Sequence, residues 1–521
     1  MLQYTDRSVD NNQHCRNGPI LSARRLTQPL CRLEAALKSQ VRITMTTQLA
    51  RLDAVGSAQL IRERKISARE LVTAAIERIE AIESNINAVV SRRFDQALDE
   101  AAEPALGGTK FGGVPILLKD IDGASAGDTY FAGSNYLKRQ HWRESKDCFA
   151  VARLKSAGFI VLGKTATPEF ALSPHTVSAA HGLTRNPWNL EYSAGGSSGG
   201  SGAAVAARLV PVAHGSDAGG SIRIPAAANG VVGLKPSRGR VSNGPREAEP
   251  WGGLLVRGPL TRSVRDAAAL LDVMSARDDT EPYGVRNTPL RYIEELSRPL
   301  GQLRVGFLDN RPDGSPIEPE VADEVRRTAT LLAGAGCKVD ATYPVALADI
   351  SSRQILTMMS VWLGHALSVY TTRTGRAPTE GELEPFTAGL ATFGRNIAAS
   401  EYVKVREEMH AVSRQIKTWW EDFDLLVTAT MSSPPKTHDF FDRALKNADH
   451  EAIQLEFPFT TAFNVTGQPA VSLPMGMSSR RLPIGIQLVA APGREDVLIR
   501  AASHLEIASP WSSREPKICA R

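Results

Sequence analysis

Gly195-Gly196-Ser197-Ser198-Gly199-Gly200-Ser201-Gly202 and Gly215-Ser216-Asp217-Ala218-Gly219-Gly220-Ser221-Ile222-Arg223-Ile224-Pro225 crowd glycine and serine into two loops. Glycine loses more conformational freedom on folding than any other residue, so two such clusters need a local reason. Close approach of the backbone to a reacting atom supplies one. Successive N–H groups in tight turns form a concavity that holds an anion, and Ser221 stands where that concavity ends. A serine beside an anion cradle points to acyl transfer.

A serine hydroxyl is a weak nucleophile at neutral pH and needs a base within hydrogen-bond reach. His214 is near in sequence, but it closes the apolar run Leu209-Val210-Pro211-Val212-Ala213, the setting of a structural histidine. Lys119 ends another apolar run, Val114-Pro115-Ile116-Leu117-Leu118, too short for anything but a buried strand. Burial lowers a lysine from about 10.4 towards the range of about 7–8 that suits a general base at neutral pH, a change worth about 4 kcal/mol. The strand alone equally allows Lys119 to face solvent or to pair with Asp120 or Asp122; the serine loops favour the base.

These stretches, with Gly230-Val231-Val232-Gly233-Leu234-Lys235-Pro236, resemble the amidase signature family. The two serines stand 24 residues apart, as in the family pattern, and the similarity runs from about Leu52 to about Pro510. The resemblance implies that Ser221 is the nucleophile, Ser197, beside a cis peptide bond, the bridging serine, and Lys119 the base of an acylamide amidohydrolase. It also implies that the N–H groups of Ala218, Gly219, Gly220 and Ser221 hold the oxyanion, that Asp217 braces their loop, that Ser198 bonds across it, and that Arg223 supports the loop rather than the substrate. Further blocks similar to the family include Arg185-Asn186-Pro187-Trp188-Asn189, Phe463-Asn464-Val465-Thr466-Gly467-Gln468 and Pro483-Ile484-Gly485-Ile486-Gln487, expected to shape the sheet and pocket. Within the family, residues 196–207, 211–215 and 464–477 look most like the bacterial cyclic-dimer (nylon-oligomer) hydrolase branch.

Rival readings use the same residues. Gly195-Gly196-Ser197-Ser198-Gly199 also satisfies the nucleophile elbow of an α/β-hydrolase, with Ser197 attacking and Asp424 and His438 as partners, but Asn186-Pro187-Trp188-Asn189 and Ser193 read as loop where an elbow needs a strand. The A subunit of a glutamine-dependent tRNA amidotransferase would carry the same three residues and act with a partner on tRNA. Lys164 and Glu169 form a further acid/base candidate, equally explained by a strand-end lysine and a surface glutamate.

Composition narrows the class. The chain has 521 residues, 42% of them hydrophobic, and a formal charge of +5. Seven basic residues against three acidic ones fall in residues 1–44, so the remainder is close to neutral and implies no nucleic-acid surface. Cys15, Cys31, Cys148, Cys337 and Cys519 have no metal spacing and read as reduced thiols of a cytoplasmic protein. No metal or other cofactor and no membrane span are expected; the partner is a small-molecule amide, and the sequence is compatible with a homodimer. Residues 1–44 read as a disordered or non-native extension, with Met45 as an alternative start.

The expected fold is α/β: a central mixed β-sheet covered by helices on both faces, in one domain over 45–521 with its catalytic core at about 110–260. Two domains with a seam near 280–299 are the alternative. Helices are expected at 67–82, 148–157, 203–208 and 321–332, strands at 159–162, 209–213 and 303–307. A mostly helical stretch at about 344–436 offers Met358, Met359, Trp362, His365, Tyr370, Phe386 and Phe393 as candidate pocket residues.

Overall fold

The apolar run ending at Lys119 forms a strand buried along its whole length, as the middle of a sheet covered on both faces requires. In the computed structural model, which describes residues 47–103, 106, 108–275, 281, 291–447 and 449–520, the first strands are β1 Val89–Arg92, β2 Pro115–Lys119 and β3 Ile160–Thr165. Two short hairpins follow, β4 Val177–Ser178 with β5 Gly182–Leu183 and β6 Arg185–Asn186 with β7 Asn189–Ser193. Then come β8 Val212–Asp217, β9 Val232–Lys235, β10 Val256–Thr261, β11 Arg304–Leu308, β12 Lys338–Asp340, β13 Leu425–Ala429, β14 Ala470–Met477 and β15 Pro483–Ala490. Eleven of these make one mixed sheet in the order β1-β3-β2-β8-β10-β9-β14-β15-β13-β11-β12. β2 runs parallel to β3 and β8, which sets the C-terminal ends of β2 and β8 side by side.

Side chains alternate across a strand, and β2 sends Ile116 and Leu118 into one large apolar cluster and Leu117 into another. Helices Val264–Met274, Pro319–Gly334 and Glu495–Ala508 pack into the first. Ala68–Ile86 and Gly199–Ala206 pack into the second. The sheet is therefore mixed and covered by helices on both faces. Thr47–Arg521 forms one compact unit; the extension 1–44 and part of 280–299 lie outside the described residues.

Local chemistry sets the element ends. Ser67 Oγ accepts the Glu70 N–H at 3.1 Å while the Glu70 carboxylate accepts the Ser67 N–H at 2.8 Å, a capping box that starts the helix Ala68–Ile86. That helix runs a turn beyond 82 and stops at Asn87, which takes the left-handed conformation. Leu209, expected in a strand, closes the preceding helix instead by donating its N–H to Ala204 O, so β8 starts only at Val212. Asn186-Pro187-Trp188-Asn189 and Ser193, expected as loop, lie in the β6–β7 hairpin, because Asn186 donates its side-chain amide to Ser193 O and Ala228 O and holds the two strands to the helix Arg223–Asn229.

Candidate active site

The register of β2 and β8, Leu117 opposite Ala213, carries Lys119 to the level of the β8 end. Lys119 Nζ is fully buried and lies 2.8 Å from Ser197 Oγ and 2.9 Å from Ser216 Oγ. Burial pushes its pKa down to about 8, with the carboxylates of Asp122 and Asp217 pulling the other way. Ser197 is itself buried, and the Gly196–Ser197 peptide is cis. Ser198 Oγ donates to Ser216 O at 3.3 Å and accepts from Ser216 N–H at 3.4 Å, bonding the first serine loop to β8.

Asp217 anchors the second loop. Its carboxylate accepts the N–H groups of Gly220, Ile222 and Arg223 and two bonds from the Arg223 guanidinium, at 2.9 and 2.8 Å. Burial alone would raise the Asp217 pKa, but the adjoining Arg223 guanidinium, with Asn464 and Lys235, holds it well below the usual carboxylate range. Arg223 is fully buried and also donates to Asn464 Oδ1 and to Gln487 Oε1. It is occupied by the loop and the distant blocks rather than by open space.

Gly220 adopts φ 130°, and a Cβ there would stand 2.4 Å from Thr460 Oγ1, so only glycine fits. Its N–H, expected in the oxyanion cradle, donates to Asp217 Oδ1 at 2.7 Å, because the carboxylate lies under the loop. Among the described residues, the N–H groups of Ala218, Gly219 and Ser221 have no protein acceptor. Lys119, Ser197 and Asp217 are buried, whereas Ser221 and Gly219 are partly accessible. Ser198 N–H donates to Ser221 O at 3.2 Å, joining the two serine loops; no hydrogen bond links the Ser197 and Ser221 hydroxyls among the described residues.

The other sequence candidates fall elsewhere. His214 is buried with neither ring nitrogen bonded, and burial, with Arg257 and Lys119 nearby, depresses its pKa far below the usual histidine range. Lys164 donates to Gly123 O, while Glu169, expected at the surface, is buried and accepts from Ser134 and from the Glu384 N–H. The elbow partners are engaged away from Ser197: His438 Nε2 bonds Leu190 O and Asp424 bonds Arg304. Met358, Met359 and Trp362 pack in a cluster with Ala218, Trp251 and Leu254. Trp362, His365 and Tyr370 line a cavity of about 290 Å³. Phe386 and Phe393 are 42% and 49% exposed, since their helix turns them outward. Ser216 stands in the second glycine-serine stretch, where its residue type alone assigns it no role, and only the pairing of β2 with β8 turns it towards Lys119.

Asp120 binds the N–H groups of Phe131 and Gly133, not Lys119. Among the described residues no group of three His, Cys, Asp or Glu is placed to hold a metal ion, and no helix is long and apolar enough to cross a membrane.

An eleven-stranded mixed sheet that sets a buried lysine beneath paired serine loops defines a class of hydrolases acting on amides. The chain belongs to that class, the amidase signature family: the family profile described as Amidase matches residues 70–499. It is 40% identical over 480 residues, 89% of this chain and 96% of the relative, to the 6-aminohexanoate-cyclic-dimer hydrolase of Paenarthrobacter ureafaciens. The solved structure of a 6-aminohexanoate cyclic dimer hydrolase complexed with substrate is similar with a TM-score of 0.85 and 38% identity, over 90% of this chain and 99% of that one. A bacterial aryl acylamidase of the same family gives a TM-score of 0.78 at 27% identity, over 88% and 97%.

Proposed function

We propose that the protein hydrolyses a carboxylic acid amide to the acid and an amine or ammonia through an acyl-enzyme on Ser221. The observation that carries this reading is the buried Lys119 amine, 2.8 Å from the hydroxyl of a serine whose loop bonds the loop of Ser221. Neutral Lys119 takes the Ser197 proton as Ser197 takes that of Ser221, and Ser221 Oγ bonds to the carbonyl carbon while the carbonyl π pair moves to oxygen. The N–H groups of Ala218, Gly219 and Ser221 hold that oxygen, each such donor being worth roughly 3 kcal/mol in comparable sites. Collapse of the intermediate breaks the C–N bond, and the proton returns from Lys119 through Ser197 to the departing nitrogen. Water then repeats the cycle and releases the acid. The link between the serine hydroxyls closes when substrate fills the site, as catalytic hydrogen bonds commonly do.

Asp217, Arg223 and Ser198 hold the loop in place without touching the substrate. A relative named for a cyclic dimer of 6-aminohexanoate makes cyclic and secondary amides the first to test. The purified chain alone is expected to release amine from at least one member of a panel of lactam, alkyl amide and aryl amide substrates, and Ser221→Ala to stop it. Hydrolysis appearing only with a partner protein and tRNA would favour the amidotransferase A-subunit reading instead.

A further inference from the structure

Asp122 follows Lys119 by three residues, its backbone is left-handed at φ 62°, and it is only 4% exposed, yet its Oδ2 has no hydrogen-bond partner. A buried carboxylate is normally paired, because an uncompensated charge away from water is costly. The nearby cations give their side-chain hydrogen bonds to other groups, Lys119 to Ser197 and Ser216, although the Asp122 charge is felt at Lys119 and Arg257. Arg257 gives Nε to the backbone oxygen of Asp122 at 2.7 Å and its other nitrogens to Asn243 and Glu247. Arg246 and Arg373 both bind Glu144. The Tyr130 hydroxyl accepts the Asp122 N–H at 3.2 Å.

Asp122 is one of the residues lining the cavity of about 290 Å³, whose walls include the rings of Tyr130, Trp362 and Tyr370. Three more carboxylates line it, and each already bonds a cation: Glu144 the two arginines, Asp147 Lys155, and Glu247 Arg257. Asp122 is the one left over. Trp362 also packs in the cluster that holds Ala218, so the cavity adjoins the wall of the oxyanion loop. A carboxylate that no side chain hydrogen-bonds, set among aromatic rings, is the chemistry that takes up a cation, by charge-assisted hydrogen bonds and by attraction to ring faces.

We propose that this cavity is a subsite for a primary ammonium group, so that the enzyme favours amides whose amine or acyl part carries a positive charge beyond the scissile bond. The substrate preference rests on the amidase reading; the binding preference does not. Calorimetry with hexylammonium and with 1-hexanol, which share a chain and differ in charge, tests it on the full-length protein. Hexylammonium is expected to bind at least about tenfold more tightly than 1-hexanol, and Asp122→Asn to remove that difference while leaving 1-hexanol unchanged. Asparagine tolerates the left-handed backbone as aspartate does, so the variant keeps the turn. Equal binding of the two probes to the unaltered protein, no binding of either, or a difference that survives Asp122→Asn would overturn the subsite. Ser221→Ala is expected to bind hexylammonium as the unaltered protein does, and its hydrolytic activity reports on the amidase reading alone.

Discussion

Two hydroxyls hold the Lys119 amine, those of Ser197 and Ser216. A neutral amine has two N–H bonds and one lone pair. An N–H given to Ser216 leaves the lone pair for the Ser197 proton, which in the proposed relay makes Ser216 a positioning residue for Lys119. Lys119→Ala is expected to lower kcat/KM by about 10²–10⁴-fold, the usual contribution of a general base, with an unchanged far-ultraviolet circular dichroism spectrum. Ser216→Ala is expected to lower it by about tenfold and to move the pH midpoint of kcat/KM, whereas a merely structural serine would leave the midpoint in place. The candidates Lys119, Ser197 and Ser221 could be picked out in the sequence because each sits in a short motif of distinctive residue types. Ser216 and Asp122 were not, since their meaning comes from which side chains long-range pairing leaves beside them.

Elements deliver these side chains from their ends: β2 brings Lys119, β8 brings Ser216 and Asp217, and the loop before helix Arg223–Asn229 brings Ser221. Gly220→Ala tests that loop. With its Cβ driven towards Thr460 and its φ at 130°, it is expected to lose most activity and about 1–3 kcal/mol of stability, read from urea unfolding. Ser67→Ala breaks the capping box far from the site and is expected to cost about 1 kcal/mol with full activity. Local pattern made the helices at 67–82, 148–157 and 321–332 legible, because one apolar face repeats at helical spacing. It misplaced the ends where a backbone bond closing a helix decides, as at Leu209, and missed the β6–β7 hairpin, whose strands are held by Asn186 rather than by an apolar alternation.

Across the whole molecule, Arg223 ties the loop of Ser221 to Thr460, Asn464 and Gln487, segments from the far end of the chain. Those blocks were visible in the sequence, but their convergence is a property of the sheet order, which sets β14 and β15 near β8 and β9. Burial of charge also gives the molecule a pH signature. Lys119 titrates near 8 in the folded protein against 10.5 unfolded, so the unfolded chain binds the proton more readily between those values. Raising pH through that window therefore adds up to about 1.4 kcal/mol of stability per unit from this group, and Lys119→Met is expected to reduce the slope by that amount in pH-dependent unfolding. For the same reason kcat/KM should rise with pH through about 8 as the amine becomes neutral. Mass spectrometry of tryptic peptides after reaction with a fluorophosphonate addresses the acyl-enzyme itself. The adduct is expected on Ser221 in the unaltered protein and absent in Lys119→Ala; an adduct on Ser197, or undiminished labelling of Ser221 without the lysine, would contradict the relay of proton and nucleophile described above.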